Sequence, residues 1–230
     1  MIDSKPKHVI FLLGGPGVGK STQGQWFSSK FNMRCFATGD VLKGACMESE
    51  EKADLFETLA CDQKILDYTN SLMRQIRDRQ LIDSRITFSI LRYSILHTDK
   101  QCFLVEGYPR TVEEATLFED FIKCDCLIYM NSDSDTLRNR CKNRAESQGY
   151  EFQTDLFKSR LNTFNSQVSS VLDYYSRQGK LREVDGTRSK DEVCANMLHT
   201  IREFWYLPHL EEEPALVPKN QTIKQNCLML

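Results

Sequence analysis

The stretch HVIFLLGGPGVGKST, at residues 8–22, decides how this chain is interpreted. Residues 8–13 are short, mostly apolar and followed by glycines, which predicts a buried β-strand. Residues 14–21 fit the pattern G-x-x-x-x-G-K-[ST], and residues 20–30 predict a helix. A glycine-rich loop between a strand and a helix can point its N–H groups inward, and the helix adds the positive end of its dipole. The stretch therefore predicts a loop that binds phosphate groups.

The chemistry of phosphate binding assigns roles to side chains within this loop. We expect Lys20 to hold the β- and γ-phosphates of ATP, and Ser21 or Thr22 to contact Mg²⁺. The residues expected to bind ATP here are Gly15, Pro16, Gly17, Val18, Gly19, Lys20, Ser21 and Thr22. The loop alone indicates a nucleotide and not a reaction. A GTPase would need a guanine-reading Asn-Lys-x-Asp stretch, which the sequence lacks.

The composition is that of an ordinary soluble domain. Of 230 residues, 40% are hydrophobic and 27% are charged, and the formal net charge of -2 argues against general nucleic-acid binding. We find neither an apolar stretch long enough to span a membrane nor a signal segment, which predicts a cytoplasmic protein. Nine cysteines without a CxxC pair predict free intracellular thiols rather than a zinc site or a disulfide framework.

Strand and helix patterns alternate along the rest of the chain. Further strands are predicted at 35–37, 102–105, 126–130 and 181–184. Further helical patterns cover 40–96, 133–145, 153–178 and 190–206. This alternation predicts a three-layer α/β fold with a five-stranded parallel sheet and helices on both faces. We expect one domain at 1–206 and a polar tail at 207–230 that does not pack.

Several segments resemble, in the correct order, the adenylate kinase and UMP-CMP kinase family over about residues 8–205. The loop at 14–23 is close to the family's phosphate loop. The other matching segments are ATGDVLK at 37–43, QLI at 80–82, FLVEGYPR at 103–110, RCKNR at 140–144 and RL at 160–161. Six separate matches in order are far more specific than the phosphate loop alone.

The resemblance implies a P-loop kinase that transfers the γ-phosphoryl group of ATP to a nucleoside monophosphate (NMP), with AMP first and then CMP or UMP. It implies Mg²⁺ as cofactor and a monomer with two closing parts, an NMP-binding arm at about 39–97 and a short lid at about 144–154. Arginines suit this reaction because they neutralise the charge on the migrating group.

The resemblance also implies the site residues. Those implied in catalysis are Lys20, Arg110, Arg144 and Arg160. Arg140 and Arg144 are implied to bind ATP together with the loop. Glu106 is implied to bind Mg²⁺, partly through water, together with Ser21 and Thr22. The NMP site is implied to contain Thr38, Lys43, Gln80, Leu81, Ile82, Gly107, Tyr108, Arg110, Glu114 and Arg160.

This chain departs from the family's pattern at four positions. Glu106 replaces the usual Asp. Lys43 replaces an Arg, so the guanidinium group that could bind the acceptor phosphate through two parallel hydrogen bonds is absent. Glu114 replaces a base-reading Gln or Asn, so it either accepts hydrogen bonds from the base or is a surface helix acid. Tyr150 follows Gly149 where the family's lid has an Arg. These departures leave two alternatives, a weakly active nucleotide sensor or scaffold, and a P-loop kinase of a non-nucleotide metabolite.

The last four residues, CLML at 227–230, fit the pattern C-a-a-X with a final Leu. This pattern predicts geranylgeranylation of Cys227 and membrane association through the prenyl group. Only Lys219 and Lys224 supply positive charge nearby, which is a thin second signal for a membrane. A chance match in a cysteine-rich chain is the alternative.

Overall fold

The computed structural model describes residues 6–44, with side chains through residue 41, and residues 83–205. The strands are β1 (His8–Gly14), β2 (Met33–Ala37), β3 (Cys102–Glu106), β4 (Cys126–Asn131) and β5 (Leu181–Asp185). The helices are α1 (Lys20–Lys30), α2 (Thr38–Gly44), α3 (Ser84–Leu96), α4 (Val112–Phe121), α5 (Ser134–Ser147), α6 (Thr154–Ser176) and α7 (Lys190–Arg202). The predicted site residues that lie outside the described part are Gln80, Leu81, Ile82, Cys227 and the side chain of Lys43.

The five strands form one parallel sheet in the order β2-β3-β1-β4-β5, which confirms the predicted fold class. In the central part of the sheet, Leu12 of β1 pairs with Glu106 of β3, and Gly14 of β1 pairs with Met130 of β4. The carboxyl ends of β3, β1 and β4 therefore meet at one edge. The chain order reverses on the two sides of β1, and ligands bind at such a point in open parallel sheets.

Both faces of the sheet are buried, because successive side chains of a strand point to opposite faces. In β1, Ile10 and Leu12 join a core cluster that includes Phe27 of α1. The alternate side chains, Val9, Phe11 and Leu13, join a second cluster on the other face. A central strand with two buried faces explains why residues 8–13 are a nearly continuous apolar run.

Two helices differ from the sequence-based expectation. Helix α4 was not predicted, although Thr111 and Glu114 form a Thr-x-x-Glu start signal, and Thr111 Oγ accepts the Glu114 N–H at 3.1 Å. Helix α7 ends at Arg202 rather than 206. After this helix, the indole N–H of Trp205 donates to Asp125 Oδ2 at 2.8 Å. Asp125 directly precedes β4, so this bond attaches the segment to the amino ends of the strands. No helix among the residues that the structure describes is long and apolar enough to cross a membrane.

A buried ion pair connects α4 to the start of β5. Lys180 Nζ lies 3.0 Å from Glu119 Oε2, and the Glu119 side chain is only 5% exposed. The other carboxylate oxygen, Oε1, accepts the backbone N–H of Cys124 at 3.2 Å. Glu119 therefore depends on both partners, because a buried charge that loses one of them is strongly destabilising.

We expect Lys180→Met to lower the free energy of unfolding by about 3 kcal/mol, because it leaves the Glu119 charge buried without a cation. The double variant Lys180→Met/Glu119→Gln should recover most of this loss, since a neutral amide oxygen still accepts the Cys124 N–H. Urea denaturation of both variants measures the difference.

The exposed pair of Lys142 and Glu146, 3.7 Å apart, provides the matched control. Lys142→Met should change the free energy of unfolding by less than about 0.5 kcal/mol. Equal losses for Lys180→Met and the double variant would contradict the assignment of the cost to the Glu119 charge.

Candidate functional site

The predicted phosphate loop lies between β1 and α1, at the edge where three strands end. Gly17 and Gly19 have φ angles of 85° and 109°, a left-handed region that glycine enters at no steric cost. These angles curl the backbone ahead of the first turn of α1. The loop therefore has the backbone shape that its glycine pattern predicted.

Lys20 folds back beneath this loop. Its ammonium group donates to the carbonyl oxygens of Gly14 at 2.7 Å and Gly15 at 3.1 Å. Burial lowers the pKa of Lys20 to about 8, with the positive charges of Arg110 and Arg144 acting in the same direction and Glu106 opposing them. The charges of Arg110 and Arg144, which come from two other segments, thus act on Lys20.

Ser21 and Glu106 face each other across the ends of α1 and β3. Ser21 Oγ donates to Glu106 Oε2 at 3.1 Å, and Thr38 Oγ1 donates to the Glu106 carbonyl at 2.8 Å. Burial raises the pKa of Glu106, while the Ser21 hydrogen bond and Lys20 lower it. A hydroxyl and a carboxylate oxygen beside a phosphate loop fit Mg²⁺, which takes few protein oxygens and keeps several waters. Ser21 and Thr22 are both exposed, so exposure does not separate the two predicted Mg²⁺ ligands.

Arg110 lies in the short loop between β3 and α4. Gly107 donates its N–H to the Leu12 carbonyl at 3.0 Å, which fastens the loop to β1. The Arg110 side chain is exposed, and its Nε donates to the Gly107 carbonyl at 3.2 Å. The Arg110 backbone N–H donates to Glu114 Oε2 at 2.6 Å. Glu114 is only 5% exposed, which contradicts the alternative that it is a surface helix acid.

Arg140, on α5, uses its guanidinium group to join two backbone segments. It donates to the carbonyls of Val18 and Gly186, and to those of Thr187 at 3.2 Å and Arg188 at 3.0 Å. The phosphate loop is thereby linked to the loop that follows β5. The predicted contact of Arg140 with ATP stays a prediction.

Helix α5 also supports the phosphate loop directly, which motif matching did not predict. A Cβ atom at Gly15 would lie 2.7 Å from Leu137 Cδ1, and one at Gly17 would lie 2.6 Å from Cys141 Sγ. Leu137, Cys141 and Arg144 are spaced at i, i+4 and i+7, so they share one face of the helix. This spacing indicates a packed face of α5. It does not indicate that the face contacts the phosphate loop.

Arg144 and Arg160 are both exposed and come from the two helices that flank the predicted lid. Burial raises the pKa of Cys141, while Arg144, Arg160 and Lys20 lower it, so all three charges act on this thiol beside the loop. Tyr150 lies between the two helices and is 50% exposed. The charges of Arg144, Arg160 and Lys20 therefore all act on Cys141, whereas Tyr150 lies at the surface.

We expect Gly17→Ala to weaken ATP binding roughly tenfold to hundredfold, as the loss of one or two hydrogen bonds to charged groups would. The reason is steric, because the new Cβ would also meet the backbone carbonyl oxygen of Leu137 at 2.9 Å, and the loop must move. Calorimetric titration with ATP measures the change.

Gly179→Ala is the matched control, because Gly179 also has a positive φ, 70°, but nothing lies within 4 Å of its Cβ position. This variant should lose stability through backbone strain and keep its affinity for ATP. Equal ATP affinities for the two variants would contradict close packing of α5 on the loop.

Comparison with protein families shows that residues 12–180 match the family described as adenylate kinase. The chain is 27% identical over 201 residues to Adenylate kinase 1 of Schistosoma mansoni, covering 85% of this chain and 93% of the relative. It is 28% identical over 195 residues to UMP-CMP kinase of Xenopus laevis, covering 80% and 93%. It is 26% identical over 200 residues to Uridylate kinase of Saccharomyces cerevisiae, covering 85% and 91%.

The family match spans well over half of the chain and includes the whole phosphate loop, the Arg110 loop and both helices around the predicted lid. It covers the segments on which the resemblance was based, and the resemblance is confirmed. With the parallel sheet and the cluster of cations at its edge, the match establishes that this chain belongs to the adenylate kinase family.

Proposed function

We propose that this protein transfers the γ-phosphoryl group of MgATP to a nucleoside monophosphate. The observation that carries the proposal is the Lys20 ammonium group, which donates to the Gly14 and Gly15 carbonyls of the phosphate loop. The charges of Arg110 and Arg144 act on this lysine and lower its pKa. Phosphoryl transfer needs positioning and charge stabilisation more than covalent chemistry, and this cluster supplies both.

Each group has a role that follows from its place. Lys20 and the N–H groups of the loop bind the phosphates of ATP, and Arg144 and Arg160 neutralise the migrating group from the lid side. Arg110 binds the phosphate of the acceptor. Ser21 and Glu106 would hold Mg²⁺, which supplies charge neutralisation between the β- and γ-phosphates when it is bound.

For the acceptor we propose AMP first, then CMP or UMP. Relatives named adenylate kinase, UMP-CMP kinase and uridylate kinase, all at similar identity, support a monophosphate acceptor without separating the bases. The proposed acceptor site includes Thr38, which is buried beside Glu106, and Gly107 and Tyr108 next to Arg110. Lys43, Gln80, Leu81 and Ile82 complete it as proposals from the sequence.

The proposed organisation is one domain with an arm at about 39–97 and a lid at about 144–154 that close over the substrates and exclude water. We propose a cytoplasmic monomer. Prenylation of Cys227 stays a prediction from the sequence.

A weakly active nucleotide sensor is the second candidate function. The exposed Tyr150 favours it, because the lid lacks one charge donor at this position. Loss of a donor to a developing charge lowers rates by roughly a hundredfold to a thousandfold.

We expect ADP formation from MgATP with one of AMP, CMP, UMP or GMP, and its loss in Lys20→Ala. The reason is that Ala removes the ammonium group that binds the phosphates. A coupled assay with each monophosphate measures the rate.

Lys142→Ala is the control, since Lys142 is an exposed lysine on α5 that pairs with Glu146. It should keep the wild-type rate. ATP binding without turnover of any monophosphate would favour the sensor, and turnover that survives Lys20→Ala would contradict the proposed site.

The rate should also depend on the protonation of Lys20. Its pKa is lowered to about 8, so the charged form dominates below pH 8 and is lost as the pH rises above it. We expect kcat/KM for ATP, which reports the free enzyme, to fall by about tenfold per pH unit above about pH 8.

Lys20→Arg separates this titration from others, because a guanidinium stays charged throughout this range. The kcat/KM of this variant for ATP should stay constant above pH 8, whatever its absolute value. A basic limb that is unchanged in Lys20→Arg would assign the titration to another group.

A further inference from the structure

We propose that Glu114 is a positioning residue that holds Arg110 for the acceptor phosphate, acting through the backbone of Arg110 rather than on the base. This inference rests on the proposed function and assigns Glu114 a role different from the one implied by its place in the family motif. It is carried by four hydrogen bonds within residues 107–114.

The first part of this set joins Glu114 to the two residues at the start of α4, Arg110 and Thr111. Glu114 Oε2 accepts the Arg110 backbone N–H at 2.6 Å, and Thr111 Oγ accepts the Glu114 backbone N–H at 3.1 Å. The side chain of Glu114 thus reaches back over the start of α4 and fastens the residue that precedes the helix cap. The direction in which Arg110 leaves the backbone is therefore tied to α4.

The second part fastens the other end of the same segment. The hydroxyl of Tyr108 donates to the Glu114 carbonyl at 3.0 Å. The Tyr108 ring is fully buried, and its centroid lies 5.7 Å from that of Phe11 and 5.8 Å from that of Phe118. The loop on both sides of Arg110 is therefore attached to Glu114, and Tyr108 joins it to the core.

The guanidinium of Arg110 receives a further constraint. Its Nε donates to the Gly107 carbonyl at 3.2 Å, inside the same loop. Arg110 is near enough to Lys20 for its charge to lower the Lys20 pKa. A shift of the Arg110 backbone would consequently move the guanidinium relative to Lys20, and small displacements of a charge donor are costly in phosphoryl transfer.

The surroundings of Glu114 agree with a role inside the protein. Burial raises the pKa of its carboxyl group, while the N–H groups of Arg110 and Thr111 and the Arg110 charge lower it, and Glu113 raises it. The residue is only 5% exposed, and one carboxylate oxygen already accepts a backbone N–H. A group that reads a base must present its acceptors to the cleft.

Glu114→Met and Glu114→Gln form a matched pair for the test. Both have nearly the volume of Glu, but only Gln keeps an oxygen that can accept the Arg110 N–H. We expect Glu114→Met to lower kcat/KM about tenfold to hundredfold for every monophosphate, with the ratios between monophosphates unchanged. Glu114→Gln should stay within about threefold of wild type, because one oxygen is sufficient.

A double-mutant cycle tests whether Glu114 acts through Arg110. In an Arg110→Ala background, Glu114→Met should cause almost no further loss, because the group that it positions is gone. Glu113→Gln, a change at the exposed neighbour, should keep wild-type rates in both backgrounds. Thermal unfolding of each variant confirms that it is folded at the assay temperature.

Tyr108→Phe provides an independent variant should Glu114→Met fail to fold. It removes the hydroxyl that donates to the Glu114 carbonyl and keeps the buried ring. We expect a loss of about threefold in kcat/KM that is equal for all monophosphates and absent in the Arg110→Ala background.

Two results would overturn this inference alone. One is a changed ranking of the monophosphates in Glu114→Gln, which would assign Glu114 to the base. The other is a full additional loss from Glu114→Met in the Arg110→Ala background. Failure of the proposed function is a separate outcome, in which the wild-type protein neither turns over nor binds AMP, CMP, UMP or GMP, and this inference fails with it.

Discussion

The placement of Lys20 is the interaction on which the rest of the site depends. Burial removes water from its ammonium group, and Arg110 and Arg144 oppose its charge, so its pKa is about 8. Two carbonyl groups of the phosphate loop hold it in place without neutralising it. A bound phosphate would relieve the repulsion that Arg110 and Arg144 exert on Lys20, so part of the binding free energy comes from unfavourable interactions among these cations. Such a site selects ligands with several negative charges close together.

The phosphate loop does not keep its shape alone. Its glycines permit the curled backbone, but they supply no side chains, so within the loop mainly Val18 packs into the core. Helix α5 supplies side chains instead, with Leu137 against Gly15, Cys141 against Gly17 and Arg140 bound to the Val18 carbonyl. Because α5 begins directly after β4, the strand beside β1, the sheet sets the position of this support. Arg140 therefore reaches the loop as a consequence of the packing that shapes it.

The strands and the phosphate loop were predictable because each depends on local sequence. Residues 8–13 are apolar on both faces, and Gly17 and Lys20 belong to a pattern with few other uses. Helix α4 was missed because Glu114 was interpreted through the family motif and its pairing with Thr111 as a helix start signal was not considered. The contact of Cys141 with Gly17 could not be predicted, since it depends on how β4 places α5 beside β1. Long-range packing of this kind leaves only a weak periodic trace in the sequence.

Glu114 and Arg140 show why motif positions alone do not give roles. Both occupy positions where the family pattern implies contact with a ligand. In this structure, however, the side chains of both form hydrogen bonds with backbone atoms of the chain. A buried charged side chain must find partners within the fold whether or not a ligand is present. When a position changes from an amide to a carboxylate, it loses its donors, and a backbone N–H becomes a suitable partner for the oxygens that remain. Selectivity for the base then has to come from other side chains of the acceptor site.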